Sequence, residues 1–309
     1  AGFIVFVLGK KHLQGKGEPP NPEQLKAPYV GPLSREWVIY ALGVAGVIPV
    51  WFLVQRNDIV GWGLGPSVAA SIAFIGWFLV FKCDKVERER MLLALVLIFG
   101  SVIFFTLFEQ AGTSLNLFAA RNVELGGLNA SQTQSFNAGF ILIFAPVFAA
   151  MWAWLAQRRR DPNPTLKFGL ALLQVGLGFM VVVWGAGLAG ADYRGPLVLL
   201  ALLYLFHTTG ELCLSPVGLS EITKLSVASV VSFMMAVWFL ASSIAQYVGG
   251  IIAGLAGTET VGGQVLDPAG ALAASLRVFN LLGWWGMGFG VAFVVLSFFI
   301  KHWAHGVND

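Results

Sequence analysis

Charge is scarce in this chain. Asp, Glu, Lys and Arg make up 11% of its 309 residues and 57% are hydrophobic, whereas soluble globular domains carry roughly 25% charged residues. Mean hydropathy is +0.77, so an ordinary water-soluble domain is excluded and an integral membrane protein indicated. The net charge of +3 is small and scattered, which argues against a nucleic-acid surface. Two cysteines, Cys83 and Cys213, are too few for a disulfide framework and stand at no zinc spacing with histidine. Also missing are an HExxH zinc helix, a GxSxG nucleophile elbow and a GxxxxGK[ST] phosphate loop, so no enzyme reading gains a foothold. No cofactor is implied.

What the chain has instead is apolar length. Crossing a hydrocarbon core of about 30 Å takes about 20 apolar residues, and eight runs qualify or nearly so. They lie at 37–55, 66–82, 91–118, 131–155, 166–190, 196–219, 229–255 and 271–301. Ahead of them, "AGFIVFVLG" has neither a basic leader nor a cleavage site. It reads as the end of a helix, and the chain as a carboxy-terminal fragment. "GKGEPPNPEQLKAPYVGP" is rich in Pro and Gly and reads as a loose connector.

Basic residues set the expected orientation. With the first loop in the cytoplasm, fifteen Lys and Arg fall on that side and only Arg56, Arg121, Arg194 and Arg277 on the other. This requires the segment from Trp37 to Lys82 to be a two-span hairpin returning to its starting side, and it leaves the C-terminus cytoplasmic. The remaining six spans then divide into two triplets of opposite orientation, the topology of an inverted repeat. Transporters built on such repeats bind substrate near the bilayer midplane on interrupted helices. Here the first span of each triplet holds a carboxylate beside a breaker: Glu109 with Gly112, and Glu211 with Gly210 and Pro216. Pro216 cannot donate to the Leu212 carbonyl, so a bend or opening is expected there.

A carboxylate deep in a span is costly and marks a pathway or a buried partner. Glu211 has no Lys or Arg at matching depth in the last six spans, which favours a pathway. Glu109 is less central, with water or Arg121 as alternative partners. His207 and Ser215 lie one turn either side of Glu211 on one face, where His207 and Glu211 can relay protons. Asn137 suits either substrate contact or a bridge between helices. "LGWWGMGFG" around Trp284 reads as close packing through small residues. Without nucleotide chemistry a transporter draws on an ion gradient, and buried carboxylates point to protons.

"GELCLSPVGLSEITKL" resembles the tenth-helix motif of the proton-coupled oligopeptide transporters, the peptide-transporter family of the major facilitator fold. "FEQAGTSLNLFA" is similar to its seventh helix, "SFNAGFILIFAPVFAAMW" to its eighth and "SFMMAVWFLASSIAQYVGG" to its eleventh. The resemblance implies an all-α integral membrane fold. In it, 1–9 end helix six, 10–34 form a cytoplasmic linker, 35–85 a hairpin inserted between the halves, and 86–309 a carboxy-terminal six-helix bundle of helices seven to twelve. It also implies proton-coupled import of di- and tripeptides across a bacterial inner membrane by alternating access, with an amino-terminal six-helix half as partner. Glu211 and Asn137 would hold the peptide amino terminus, Glu109 would couple protons, and Trp238, Ser242 and Phe105 would line the pocket. Ala138 and Val227 stand where the family often has Pro, and Phe105 where it often has Trp. A facilitator of the same fold for nitrate or a drug, and a non-transporting receptor or scaffold, remain open.

Overall fold

The structure, a computed structural model, describes residues 2–9, 12, 21–256, 260–261, 264–265 and 267–307. The chain falls into two compact units, Ala1–Gly63 and Leu64–Asp309. In the first are α1 (Gly2–Gly9), α2 (Pro22–Lys26), a small antiparallel ribbon of β1 (Pro28–Val30) and β2 (Leu33–Ser34), and α3 (Arg35–Val54). Gly31 turns the ribbon at a φ of 58°, a conformation that costs a β-carbon dearly. Ser34 caps α3 by accepting from Trp37 N at 3.4 Å. The connector expected over 10–34 therefore holds regular structure from Pro22 onward. Residues 10, 11 and 13–20 of it lie outside the described residues.

The helix α4 (Asn57–Phe81) begins in the first unit and occupies the start of the second. Next come α5 (Lys85–Phe108), a 3-10 turn at Glu109–Gly112, and α6 (Ser114–Asn122), followed by α7 (Ser135–Gln157), α8 (Pro164–Trp184), α9 (Leu197–Leu225), α10 (Val231–Leu255) and α11 (Pro268–Ile300). The remaining strands, β3 (Val123–Glu124) with β4 (Gly195–Pro196) and β5 (Thr260–Val261) with β6 (Gln264–Val265), are two-residue bridges in loops. Among the described residues, eight helical segments are long and apolar enough to cross a membrane, matching the eight expected runs. The fold is all-α and multi-span.

Local chemistry explains where the helices start. Asp84 and Glu87 form a reciprocal capping box on α5, with Glu87 N to Asp84 Oδ1 at 2.8 Å and Asp84 N to Glu87 Oε2 at 3.2 Å. Arg88 Nε then reaches back to the Leu79 carbonyl at 3.0 Å, satisfying the last turn of α4. Asn163 and Asp267 cap α8 and α11, each followed by Pro at the first helical position.

The core of the second unit lies where α8 meets α9 and α11, and where α5 meets α10. Lipid offers little hydrophobic drive for helices to associate, so close packing must come from small residues. On α11, Gly283, Gly286 and Gly290 face α8, and a β-carbon on Gly286 would come within 2.7 Å of the Gly176 α-carbon. Trp284 and Trp285, between these glycines, are exposed, as residues facing lipid should be. The buried stripe of α10 is Met234, Trp238, Ala241, Ala245, Gly249 and Ala253. Its three- and four-residue steps mark one helical face.

Pro216 departs from expectation. The helix α9 runs unbroken from Leu197 to Leu225 through it, and the interruption falls in the other marked span, between α5 and α6. Pro216 is exposed, so the Leu212 carbonyl that loses its donor is not sealed in the core and the helix tolerates the gap without breaking.

Candidate functional site

The α7 and α9 helices meet through side chains as well as backbone. Thr208, fully buried on α9, donates its hydroxyl to the Tyr204 carbonyl one turn earlier at 2.7 Å. That bond aims a lone pair of Thr208 Oγ1 at α7, where Asn137 Nδ2 donates to it at 3.1 Å. The same Asn137 nitrogen donates to Glu211 Oε2 at 3.3 Å. An amide nitrogen has two hydrogens, and both are spent on α9. The arrangement fixes the Asn137 amide with its oxygen as the unspent acceptor, and Glu211 Oε1 makes no hydrogen bond among the described residues. Glu211 and Asn137 are each half-buried.

Glu109 opens the 3-10 turn after α5. It is half-buried and has no ion-pair partner among the described residues, so the alternative pairing with Arg121 is not made. Its end of α5 packs against the same stretch of α9, where a β-carbon on Gly210 would stand 3.4 Å from Phe104 and the Phe108 ring lies 6.1 Å from that of His207. The structure thus gathers Glu109, Asn137 and Glu211 from three segments into one neighbourhood.

His207 turns elsewhere. Its ring is buried between Phe179, edge-on at 4.9 Å, and Phe108, tilted at 6.1 Å. The Val175 backbone approaches it, yet neither ring nitrogen makes a hydrogen bond of standard geometry. Gly178 leaves room for it, since a β-carbon there would stand 2.8 Å from His207 Cδ2. Phe105, half-buried, packs edge-on against Phe104 and Phe108 at 5.4 and 6.4 Å. Trp238, on α10, is buried against Gly218 of α9, and Gly218 lies seven residues past Glu211, about 10 Å further along α9 on nearly the same face. Ser242 Oγ bonds back to the Trp238 carbonyl at 3.5 Å. Ser215, half-buried, completes the row on α9.

Two members of the neighbourhood were not singled out from the sequence. One is Thr208, whose signal was its place three residues before Glu211. The other is Gln110, fully buried beside Glu109. A cavity of about 890 Å³ is lined by neither Glu109 nor Glu211. It is walled by Trp152, Lys167, Glu221, Lys224, Lys301 and His302 among others. Two ion pairs stand in its wall, Lys167 with Asp161 at 2.8 Å and Lys224 with Glu221 at 3.1 Å. No group of three or more His, Cys, Asp or Glu among the described residues is placed to hold a metal.

The family model described as PTR2, POT family, matches residues 1–266. The uncharacterized transporter YclF of Bacillus subtilis strain 168 is 34% identical over 263 residues, covering 82% of this chain and 52% of that protein. Dipeptide and tripeptide permease B of Photorhabdus asymbiotica is 32% identical over 287 residues, covering 91% of this chain and 56% of the permease. Among solved structures, that of a peptide transporter POT in complex with sulfate aligns with a TM-score of 0.65 at 28% identity. It covers 98% of this chain and 60% of that one. The chain thus spans about half the length of the curated relatives it matches. A family model that takes in residues 1–266, together with relatives above 30% identity over most of the chain, decides the matter: the chain belongs to the POT family.

Proposed function

We propose that this chain is the carboxy-terminal half of a proton-coupled symporter that imports di- and tripeptides by alternating access. In this reading 1–9 close helix six, 10–34 form the cytoplasmic linker, 35–85 form a two-span hairpin between the halves and 86–309 supply helices seven to twelve. An amino-terminal six-helix bundle is the partner, a bacterial inner membrane the setting, and the cytoplasm the side of the C-terminus. The reading is supported by the permease and peptide-transporter names of the relatives.

The observation that carries it is the Asn137 to Glu211 bond at 3.3 Å. It leaves one carboxylate oxygen and one amide oxygen without a hydrogen bond among the described residues. A peptide's ammonium has three donors and one positive charge, and free acceptors of which one is anionic are what it needs. Partial burial strengthens that attraction, and protonation of the carboxyl removes it, which makes release possible. Glu109, at the end of α5 that packs against this stretch of α9, is the coupling carboxylate: a proton arriving there alters how readily Glu211 holds its charge. Phe105, Trp238 and Ser242 line the pocket, and His207 joins the proton path from its place beside Phe108.

The test is thermal shift of the purified complete transporter against dipeptides, N-acetylated dipeptides and nitrate, followed by uptake into liposomes with and without an inward proton gradient. Stabilisation by free dipeptides alone, with concentrative uptake only under the gradient, is expected. Stabilisation by nitrate and not by peptide would indicate a facilitator of another substrate. Peptide binding without proton-driven flux would indicate a receptor.

A further inference from the structure

The side chain of Gln110 is completely buried and spends its whole amide. Its Nε2 donates to the Thr106 carbonyl at 3.1 Å and to the Gly249 carbonyl of α10 at 3.2 Å. Its Oε1 accepts from Ser114 Oγ, the first residue of α6, at 2.6 Å and more weakly from Thr113 Oγ1 at 3.5 Å. A primary amide has two donors and two acceptor sites, so nothing is left over. The groups it joins belong to the end of α5, the start of α6 and the C-terminal third of α10.

Those are the pieces that a helix break leaves loose. The regular ladder of α5 stops at Phe108, and the 3-10 turn at Glu109–Gly112 hands over to α6 at Ser114. Gly112 does not explain the break, since its φ is not in the left-handed region and a β-carbon there would meet open space. Gly249 supplies room on α10, where a β-carbon would stand 3.3 Å from Gln110 Nε2. In a 3-10 turn successive side chains leave the axis about 120° apart. With Gln110 locked toward α10, the neighbouring Glu109 is held pointing away from it.

We propose that Gln110 is a positioning residue for Glu109: its amide staples the α5–α6 break to α10 and so fixes the direction in which the coupling carboxylate faces. The inference rests on the proposed role of Glu109 in proton coupling. Cutting the staple lets Glu109 sample other directions, which weakens coupling more than it weakens peptide binding at Glu211 and Asn137.

The test uses the complete transporter in liposomes with two variants. Gln110→Met keeps length and removes every hydrogen bond. Ser114→Ala removes only the donor to Oε1 and adds no bulk, so it guards against simple misfolding. Proton-driven uptake and peptide counterflow are measured from pH 5 to pH 8, alongside melting temperature. For Gln110→Met the ratio of driven uptake to counterflow should fall about tenfold, the scale of one lost buried hydrogen-bonded contact, and its pH profile should flatten. Ser114→Ala should change both in the same direction by less. An unchanged ratio and pH profile in both variants overturns the proposal. So does a parallel loss of both transport modes together with melting temperature, which is the mark of a structural role only. Absence of peptide counterflow in the wild type would refute the symporter reading itself, and this inference with it, before any variant is compared.

Discussion

The indole of Trp238 on α10 rests on the backbone of Gly218 on α9, so that a β-carbon at 218 would overlap Cη2 and come within 3.0 Å of Cζ2 and Cζ3. Only glycine allows the two helices to close on that ring. Gly218→Ala is expected to force the helices apart or the indole out of its rotamer, destabilising the protein by about 1 to 3 kcal/mol. Trp238→Leu in the same background should recover part of the loss, because a smaller side chain tolerates the added methyl. Melting of the single and double variants in detergent checks this, and a Gly218→Ala protein as stable as the wild type would show that the contact carries no constraint.

Glu109 provides a second prediction. It is half-buried without an ion-pair partner among the described residues, at the end of α5 that packs against α9 beside Gly210. Glu109→Gln preserves shape and hydrogen-bonding reach while removing the titrating proton. In the complete transporter it should abolish uptake driven by a proton gradient and leave some peptide exchange across the membrane. Equal loss of both modes would assign Glu109 to binding or folding instead.

Much of this arrangement could be read in the residues, and the part that could not has a physical reason. Spans are legible because each is a long apolar run set by bilayer thickness, and Glu109, Asn137 and Glu211 stand out as polar groups within them. Which breaker breaks was not legible. Pro216 looked decisive but lies on an exposed face where one missing donor is tolerated. The α5 helix stops where Gln110 finds acceptors on Thr106 and Gly249, the second of them 139 residues away. Contacts of that kind depend on which helices become neighbours, as does the turning of His207 toward Phe179 when Glu211 faces Asn137. Helical spacing places His207 and Glu211 one above the other, but packing then sends one into the core and the other toward α7.

Cys83 lies between α4 and α5, outside the spans. Burial pushes its thiol above the usual range and the Glu87 carboxylate adds to this, with Arg88 opposing. Less thiolate at neutral pH means slower alkylation. Maleimide labelling of Cys83, followed by mass spectrometry, should therefore be slow at pH 7 and rise steeply as pH climbs. Glu87→Gln retains the capping-box acceptor and removes the charge, so labelling at pH 7 should speed up by about two- to threefold, the scale of one screened surface charge. A rate unchanged or slowed by that substitution would show that Glu87 does not act on the thiol.

The last prediction separates charge from shape at Glu211. A free peptide amine is cationic at neutral pH and should favour an ionised Glu211 steadied by the Asn137 amide, whereas an N-acetylated peptide presents no such charge. Glu211→Gln keeps nearly the same outline and a carbonyl acceptor but loses the anion. It should therefore weaken a free dipeptide far more than its N-acetylated analogue, which binds weakly to begin with. A charge-assisted contact contributes roughly 1.5 to 3 kcal/mol, which is about one to two decades in affinity. Isothermal titration of both peptides against both forms of the complete transporter closes a double-mutant cycle, in which effects unrelated to the contact cancel. A large coupling energy would place the amino terminus at Glu211. A coupling energy near zero would mean that Glu211 does not read that group, and a carboxylate held within a span by Asn137 would then have to serve the proton alone.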